Sequence, residues 1–234
     1  MGSGEAMANV VEIPMFPLGT VLFPNQLLPL HVFEERYKLM IAECLRDDVP
    51  FGVVLIKEGR EVGYGAVPFA IGTTARIADV QRLDQGRMNL RCVGQRPFRI
   101  VERLQQRPYL RCRVEYLDHG LGAEDAIGAL AASVKERFEV HLDILSKLSD
   151  RERVKLDLEL DPQTLSYLVG SIMAVQMPEK QALLEEPLAS ERLQREAALL
   201  ARENSTLQTF IYLRSQQKRE PPGPGDLQRR ISPN

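Results

Sequence analysis

Ser215 and Lys218, in the order Ser-Gln-Gln-Lys, have the spacing of a serine nucleophile with a lysine base. That chemistry needs a dry pocket to lower the lysine pKa. Here the pair leads into the charged, proline-rich run QKREPPGPG, and the companion motifs S-D-N and K-T-G are missing, so the spacing is read as chance. Carboxylates stand at every second position of Asp157–Asp161 (DLELD), which reads as an acidic lead into a helix cap rather than a metal site. His31, His119 and His141 lie far apart, with no H-E-x-x-H, and each reads as a core or surface residue. Cys44, Cys92 and Cys112 are separated, with no C-x-x-C, and read as buried structural thiols rather than zinc ligands or a disulfide framework. No G-x-x-x-x-G-K-[ST] and no G-x-S-x-G occurs. Gly63-Tyr64-Gly65 lacks the third glycine of a dinucleotide fingerprint and precedes Pro68 rather than a helix. No catalytic residue, cofactor or metal is assigned.

The bulk properties agree with a binding or structural role. The 234 residues suffice for one large domain or two small ones, and the net charge is -2, which does not by itself call for nucleic acid or an anionic membrane. Unpaired cysteines fit a reducing compartment, so a cytoplasmic location is expected. The apolar stretch FPLGTVLFPNQLLPLHVFEERY (Phe16–Tyr37) resembles a membrane segment only at first sight. Pro17, Pro24 and Pro29 break any spanning helix, and no Lys or Arg precedes the stretch as a signal peptide requires.

The elements that must position any site follow from periodicity. VVEIPMF and TVLFP read as short strands ended by prolines. In Phe33–Asp48, Phe33, Tyr37, Met40, Ile41, Cys44 and Leu45 recur every three or four residues, the mark of a helix with one buried face. FGVVLI (Phe51–Ile56) reads as a buried strand. Met88, Leu90 and Cys92 alternate with Asn89, Arg91 and Val93; Leu110, Cys112, Val114 and Tyr116 alternate with Arg111, Arg113 and Glu115, and Phe98 pairs with Ile100. Period two predicts half-buried strands. LDQGRM is predicted to be a hairpin turn at Gly86, and GQRP (Gly94–Pro97) a second turn. Beyond Leu117 the pattern becomes helical: Ile127, Leu130, Val134, Phe138 and Leu142 (or His141), then Asp161-Pro162 as a cap and first turn before Leu165, Leu168, Val169, Ile172 and Met173. A short helix is expected between Pro178 and Pro187, and a last one capped by Ser190. The expected organisation is a flexible leader over 1–9, a β-rich subdomain over 10–118, a helical subdomain over 119–216 and a disordered tail over 217–234.

Three separated stretches, in order over roughly residues 10–205, resemble the N-terminal domain of ATP-dependent Lon proteases. They are FPLGTVLFPNQLLPLHVFEERY, then AIGTTARIADVQRLDQGRMNLRCVGQRPFRIVE (Ala70–Glu102), then PEKQALLE (Pro178–Glu185) followed by Arg192-Leu193. The form of the first looks most like the small stand-alone bacterial LON-domain proteins. Asn25 stands where many relatives have Gly, and Glu35 where Pro is frequent; Asn tolerates the left-handed turn. The resemblance implies an α+β fold, a PUA-like, partly closed β-barrel followed by a C-terminal helical bundle. It also implies recognition of unfolded or tagged polypeptide. The ATPase and Ser-Lys peptidase motifs of the full proteases do not occur in this sequence, so a non-catalytic role is expected.

Three functional readings follow. A polypeptide-binding module would use apolar side chains left uncovered along the proline-broken opening: Phe16, Leu18, Phe23, Leu27, Leu28 and Phe33. The competing reading of each is core packing. The alternative is an RNA-binding PUA-like domain. Ten arginines against three acids lie between Arg76 and Arg113, and alternation turns Arg87, Arg91, Arg111 and Arg113 away from the apolar face. Few aromatics interleave with them, so nucleic acid is the less favoured partner. The third reading is an adaptor that docks on a protease, a chaperone or its own copy through Ser190–Asn234. No membrane partner is expected, and the oligomeric state is open.

Overall fold

The computed structural model describes residues 10–63, 65–105, 108–149, 152 and 155–217. The leader over 1–9 and nearly all of the tail, including Lys218, fall outside the described residues. In chain order the elements are β1 (Val10–Leu18), β2 (Leu27–Val32), α1 (Glu35–Asp47), β3 (Phe51–Glu58), β4 (Val67–Arg82), β5 (Met88–Gln105), β6 (Arg111–Tyr116), α2 (Glu124–Ser149), α3 (Pro162–Ile172), α4 (Met177–Glu185) and α5 (Ala189–Gln217).

The six strands form one sheet in the order β2-β5-β4-β3-β1-β6, and β5 also pairs with β6. That second pairing curls the sheet into a partly closed barrel. It is possible because β5 is long: Met88–Val93 pair with β2, and residues from Phe98 onward pair with β6. The rest of the ring is antiparallel apart from β1 and β3, which run parallel because α1 carries the chain back between them. β2 therefore remains at one end of the sheet, bonded among the described residues only to β5.

Alternation along the strands builds the core. Met88, Leu90 and Cys92 of β5 and Cys112 and Val114 of β6 point inward. α1 lays Tyr37, Met40, Ile41 and Cys44 over one end of the barrel, where they meet Phe16, Leu28, Val32 and Phe51. Leu45, which the period also placed on this face, is exposed. A second cluster around Met15, Val54, Phe98 and Cys112 fills the other end. The helices close on their own core of Val134, Phe138, Leu165, Val169, Met173, Leu193 and Leu200. Asp161 caps α3 as its sequence suggests, accepting bonds from the backbone N–H of Gln163 at 3.1 Å and Thr164 at 3.0 Å.

Three local expectations are corrected. TVLFP is not a strand: Val21, Leu22, Phe23 and Pro24 are buried in irregular backbone. They pass between barrel and helices, where Phe23 meets Tyr167, and Leu55, Leu183 and Leu184 complete the cluster. GQRP is not a turn; β5 runs through it. The bend is taken up opposite, by a register shift between Thr73 and Ala75, with Thr74 Oγ1 accepting from Arg96 N–H at 3.1 Å. Gly94 is needed because a Cβ there would lie 2.2 Å from the Phe23 carbonyl oxygen. Ser190 does not cap α5, which starts one residue earlier; its Oγ instead accepts from Ala123 N–H at 3.3 Å. Asn25 does adopt the left-handed conformation, at φ 63°.

The junction between sheet and helices is polar at its centre. Arg192 is fully buried: Nε donates to Ser166 Oγ at 2.8 Å, Nη1 to the Glu186 carbonyl at 2.6 Å, and the guanidinium lies 4.2 Å from the Tyr167 ring centre. Gln181 Nε2 donates to the Ile71 carbonyl at 3.0 Å and so ties α4 to β4.

Candidate functional site

The six apolar residues expected to form an exposed patch separate in the fold. Phe16, Leu18, Phe23 and Leu28 are buried, which corrects the expectation for them. Phe16 stacks on Tyr37 of α1 at 4.0 Å between ring centres, Leu18 and Leu28 belong to the same cluster, and Phe23 fills the junction. Their backbone is interrupted by prolines, yet helices packed from both sides cover the side chains. Leu27 and Phe33 are the members that stay uncovered, at 69% and 50% exposure.

Those two residues bracket β2. Side chains alternate across a strand, so Leu28 and Val32 face the core with the half-buried Leu30, while Leu27, Pro29 and His31 face out. Six steps at about 3.3 Å each place Leu27 and Phe33 about 20 Å apart. Between them the outer face is ordered by hydrogen bonds across three strands. Asn89 Nδ2 donates to Gln81 Oε1 at 3.0 Å, so its Oδ1 is the acceptor for His31 Nδ1 at 2.7 Å. Arg91 pairs with Asp79 alongside, at 3.2 Å. The His31 ring lies against Phe33 at 5.9 Å between centres, and Val93 sits opposite Leu27 in the ladder. Lys38 Nζ donates to the Gln85 carbonyl at 2.7 Å, which holds α1 to the β4–β5 connection beside this face. The result is a strip with apolar ends, a polar middle and an open sheet edge. From sequence Pro29 reads only as a helix breaker, His31 as an isolated core or surface histidine and Val93 as an alternating strand residue; nothing in the sequence joins them into one strip.

Three of the four outward-facing arginines are paired with carboxylates. Arg91 pairs with Asp79, Arg111 with Glu12 at 2.6 Å and Arg113 with Glu102 at 2.6 Å. Arg87 Nε donates to the Asp84 carbonyl at 3.2 Å. Cross-strand neighbours supply the carboxylates of Arg91, Arg111 and Arg113, and sequence spacing alone does not show them.

The remaining chemistry-bearing residues are structural. Burial pushes the thiols of Cys44 and Cys92 up to about 12 and that of Cys112 to about 11. The three histidines sit apart: His31 on β2, His119 against Tyr167 Oη at 2.7 Å, and His141 buried with Nδ1 at 2.8 Å from Asn204 Oδ1. Burial, with Arg192 nearby, holds His119 down at about 4. In DLELD, Asp157 accepts from Glu159 N–H, Glu159 pairs with Lys135, and Asp161 caps α3. Ser215 Oγ donates to the Tyr212 carbonyl at 2.7 Å. Among the described residues no group of three or more His, Cys, Asp or Glu is placed to hold a metal, and no helix is long and apolar enough to cross a membrane.

Comparison with known proteins bears on what such a strip serves. A family model described as the ATP-dependent protease La (LON) substrate-binding domain matches residues 12–202. Lon protease 2 of Myxococcus xanthus is 29% identical over 198 residues, covering 83% of this chain and 24% of that protein. The Lon protease of Escherichia coli (strain K12) is 25% identical over 213 residues, 90% of this chain and 27% of that protein. The chain thus spans about a quarter of the length of these curated relatives. The crystal structure of a Lon N-terminal domain protein from Xanthomonas campestris matches with a TM-score of 0.60 at 26% identity, over 80% of this chain and 98% of that one. The N-terminal domain of the Mycobacterium avium complex Lon protease matches with a TM-score of 0.62 at 19% identity, over 82% and 98%, a likeness of fold.

Proposed function

This chain belongs to the LON substrate-binding domain family, and from that premise we propose that it is a non-catalytic polypeptide-binding module. It takes up unfolded or tagged protein segments on the outer strip of β2 and acts as an adaptor in protein quality control, presenting them to a protease or chaperone. The observation that carries the reading is the pairing of exposed Leu27 and Phe33 across an otherwise polar strip on a strand with a free edge. Unfolded segments are recognised by their apolar side chains and unpaired backbone, and the strip offers complements to both. The ion-paired state of Arg91, Arg111 and Arg113 supports a protein partner over RNA, since each has a carboxylate competing with phosphate.

The test is binding of fluorescently labelled, denatured casein, followed by anisotropy. Micromolar-class affinity is expected. Covering either side chain is worth about 1.4 kcal/mol, so Leu27→Asp and Phe33→Ser should each weaken binding roughly tenfold. Wild-type chain that neither binds casein nor suppresses its aggregation ends the proposal.

A further inference from the structure

We propose that the bound segment is extended and adds antiparallel to the outer edge of β2 as a further strand, held mainly through its backbone. This rests on the polypeptide-binding reading and specifies its mode.

Which backbone groups of β2 are free follows from the register. Gly94 N–H donates to the Gln26 carbonyl at 2.9 Å, so residue 26 faces β5. In an antiparallel ladder this direction alternates. Leu28, Leu30 and Val32 therefore bond β5, and Leu27, Pro29 and His31 turn their backbone away from it. The side chains keep the same alternation, with Leu27, Pro29 and His31 exposed. Pro29 supports the assignment independently: it has no N–H, and proline within a sheet is confined to positions whose N–H would face away from the ladder. No other strand pairs with this edge among the described residues.

The edge thus presents the N–H groups of Leu27 and His31 and the carbonyls of Leu27, Pro29 and His31. An added strand makes five main-chain bonds where a complete edge would make six. The missing bond lies in the middle. Proline on an exposed edge is a known guard against indiscriminate pairing. Here it lowers affinity without blocking the edge, which suits a domain that must release what it holds.

The geometry also specifies the occupant's side chains. In this antiparallel arrangement, the residues that bond β2 place their side chains on the outer face, beside Leu27, Pro29 and His31. A fitting segment therefore carries apolar residues at alternate positions, at the two ends opposite Leu27 and Phe33. Its middle faces the His31–Asn89–Gln81 row and tolerates a small or polar side chain.

The probes are labelled casein and a synthetic ten-residue peptide of alternating Leu and Thr, tested on the full chain. N-methylation of the Leu residues removes the donors that face β2 and should reduce peptide binding at least tenfold; N-methylation of the Thr residues should leave it within twofold. Pro29→Ala restores the missing donor and should tighten binding three- to tenfold, with an unchanged circular dichroism spectrum confirming the fold. Equal affinity for both methylated peptides, with casein still bound and still sensitive to Leu27→Asp, overturns strand addition and leaves the polypeptide-binding reading standing. Loss of all casein binding in the wild-type chain overturns both. A dimer by light scattering that Pro29→Ala strengthens and the peptide fails to dissociate assigns the edge to a second copy and also overturns the proposal.

Discussion

Replacing Glu196 with Gln should change how stability depends on pH, because Glu196 is a buried carboxyl group that makes no hydrogen bond among the described residues. It lies on α5 at the sheet–helix junction, fully buried, and neither carboxyl oxygen has a hydrogen-bond partner among the described residues. Oε1 is 3.3 Å from where a Cβ on Gly170 of α3 would stand. Arg192, one turn earlier, gives Nε to Ser166 and Nη1 to the Glu186 carbonyl, and its Nη2 makes no hydrogen bond among the described residues. Burial therefore raises the Glu196 pKa well above the usual 4.5, and Arg192 offsets this only in part. The sign follows from proton counting. Below the unfolded pKa both states hold the proton. Above it the unfolded chain releases a proton that the folded chain keeps, so stability falls as pH rises, until the folded pKa is reached. The slope in that window is about 1.4 kcal/mol per pH unit, or about 2 kcal/mol over one and a half units. Urea unfolding of wild type and Glu196→Gln at pH 5.0, 5.75 and 6.5 should show the variant gaining on wild type at that slope. His119 titrates in the opposite sense in the same region, but it is present in both proteins and cancels in the difference. Parallel stability curves for the two proteins would refute the assignment of Glu196 as a buried, protonated acid.

Two further outcomes are expected. The three thiols are buried and pushed to about 11–12, so the native chain should not react with a disulfide reagent at pH 8, and should titrate fully once unfolded in guanidinium. Asp161→Ala removes the cap of α3 and should cost about 1 kcal/mol, lowering the melting temperature by about 2–4 °C in a calorimetric scan. Bonds from Thr164 and Gln163 hold the Asp161 carboxyl below its usual value, so this difference should be present at neutral pH and vanish as pH falls through the acid range.

Local periodicity was a good guide wherever one face of an element is buried. The spacing of Tyr37, Met40, Ile41 and Cys44 located α1, and the alternation of Met88, Leu90 and Cys92 located the inner face of β5. Asp161-Pro162 announced α3 because a cap is a contact within a few residues. Failures came where a distant element set the outcome. Val21–Pro24 looks like a strand but lies irregular between two layers, and Gly94–Pro97 looks like a turn but is the middle of a long strand that a bulge in β4 bends.

The candidate strip shows the same division. Sequence pattern alone identified Leu27 and Phe33 as part of an apolar, proline-broken opening and marked the arginines as outward-facing. It assigned the chain to its family through three separated signatures, since those depend only on residue type and order. Tertiary structure decided that Phe16, Leu18, Phe23 and Leu28 are core, because α1 covers the first end of the barrel and α3 and α4 cover the junction. It also decided that Arg91, Arg111 and Arg113 are paired, because their carboxylates lie across strands, 11 to 99 residues away in sequence. Finally, it left β2 at the end of the sheet: β5 gives the second half of its outer edge to β6 to close the barrel, and among the described residues no strand lies on the side of β2 away from β5. Side-chain periodicity is a property of local backbone geometry and can be read along the chain. Burial, pairing and a free edge depend on which elements arrive from elsewhere.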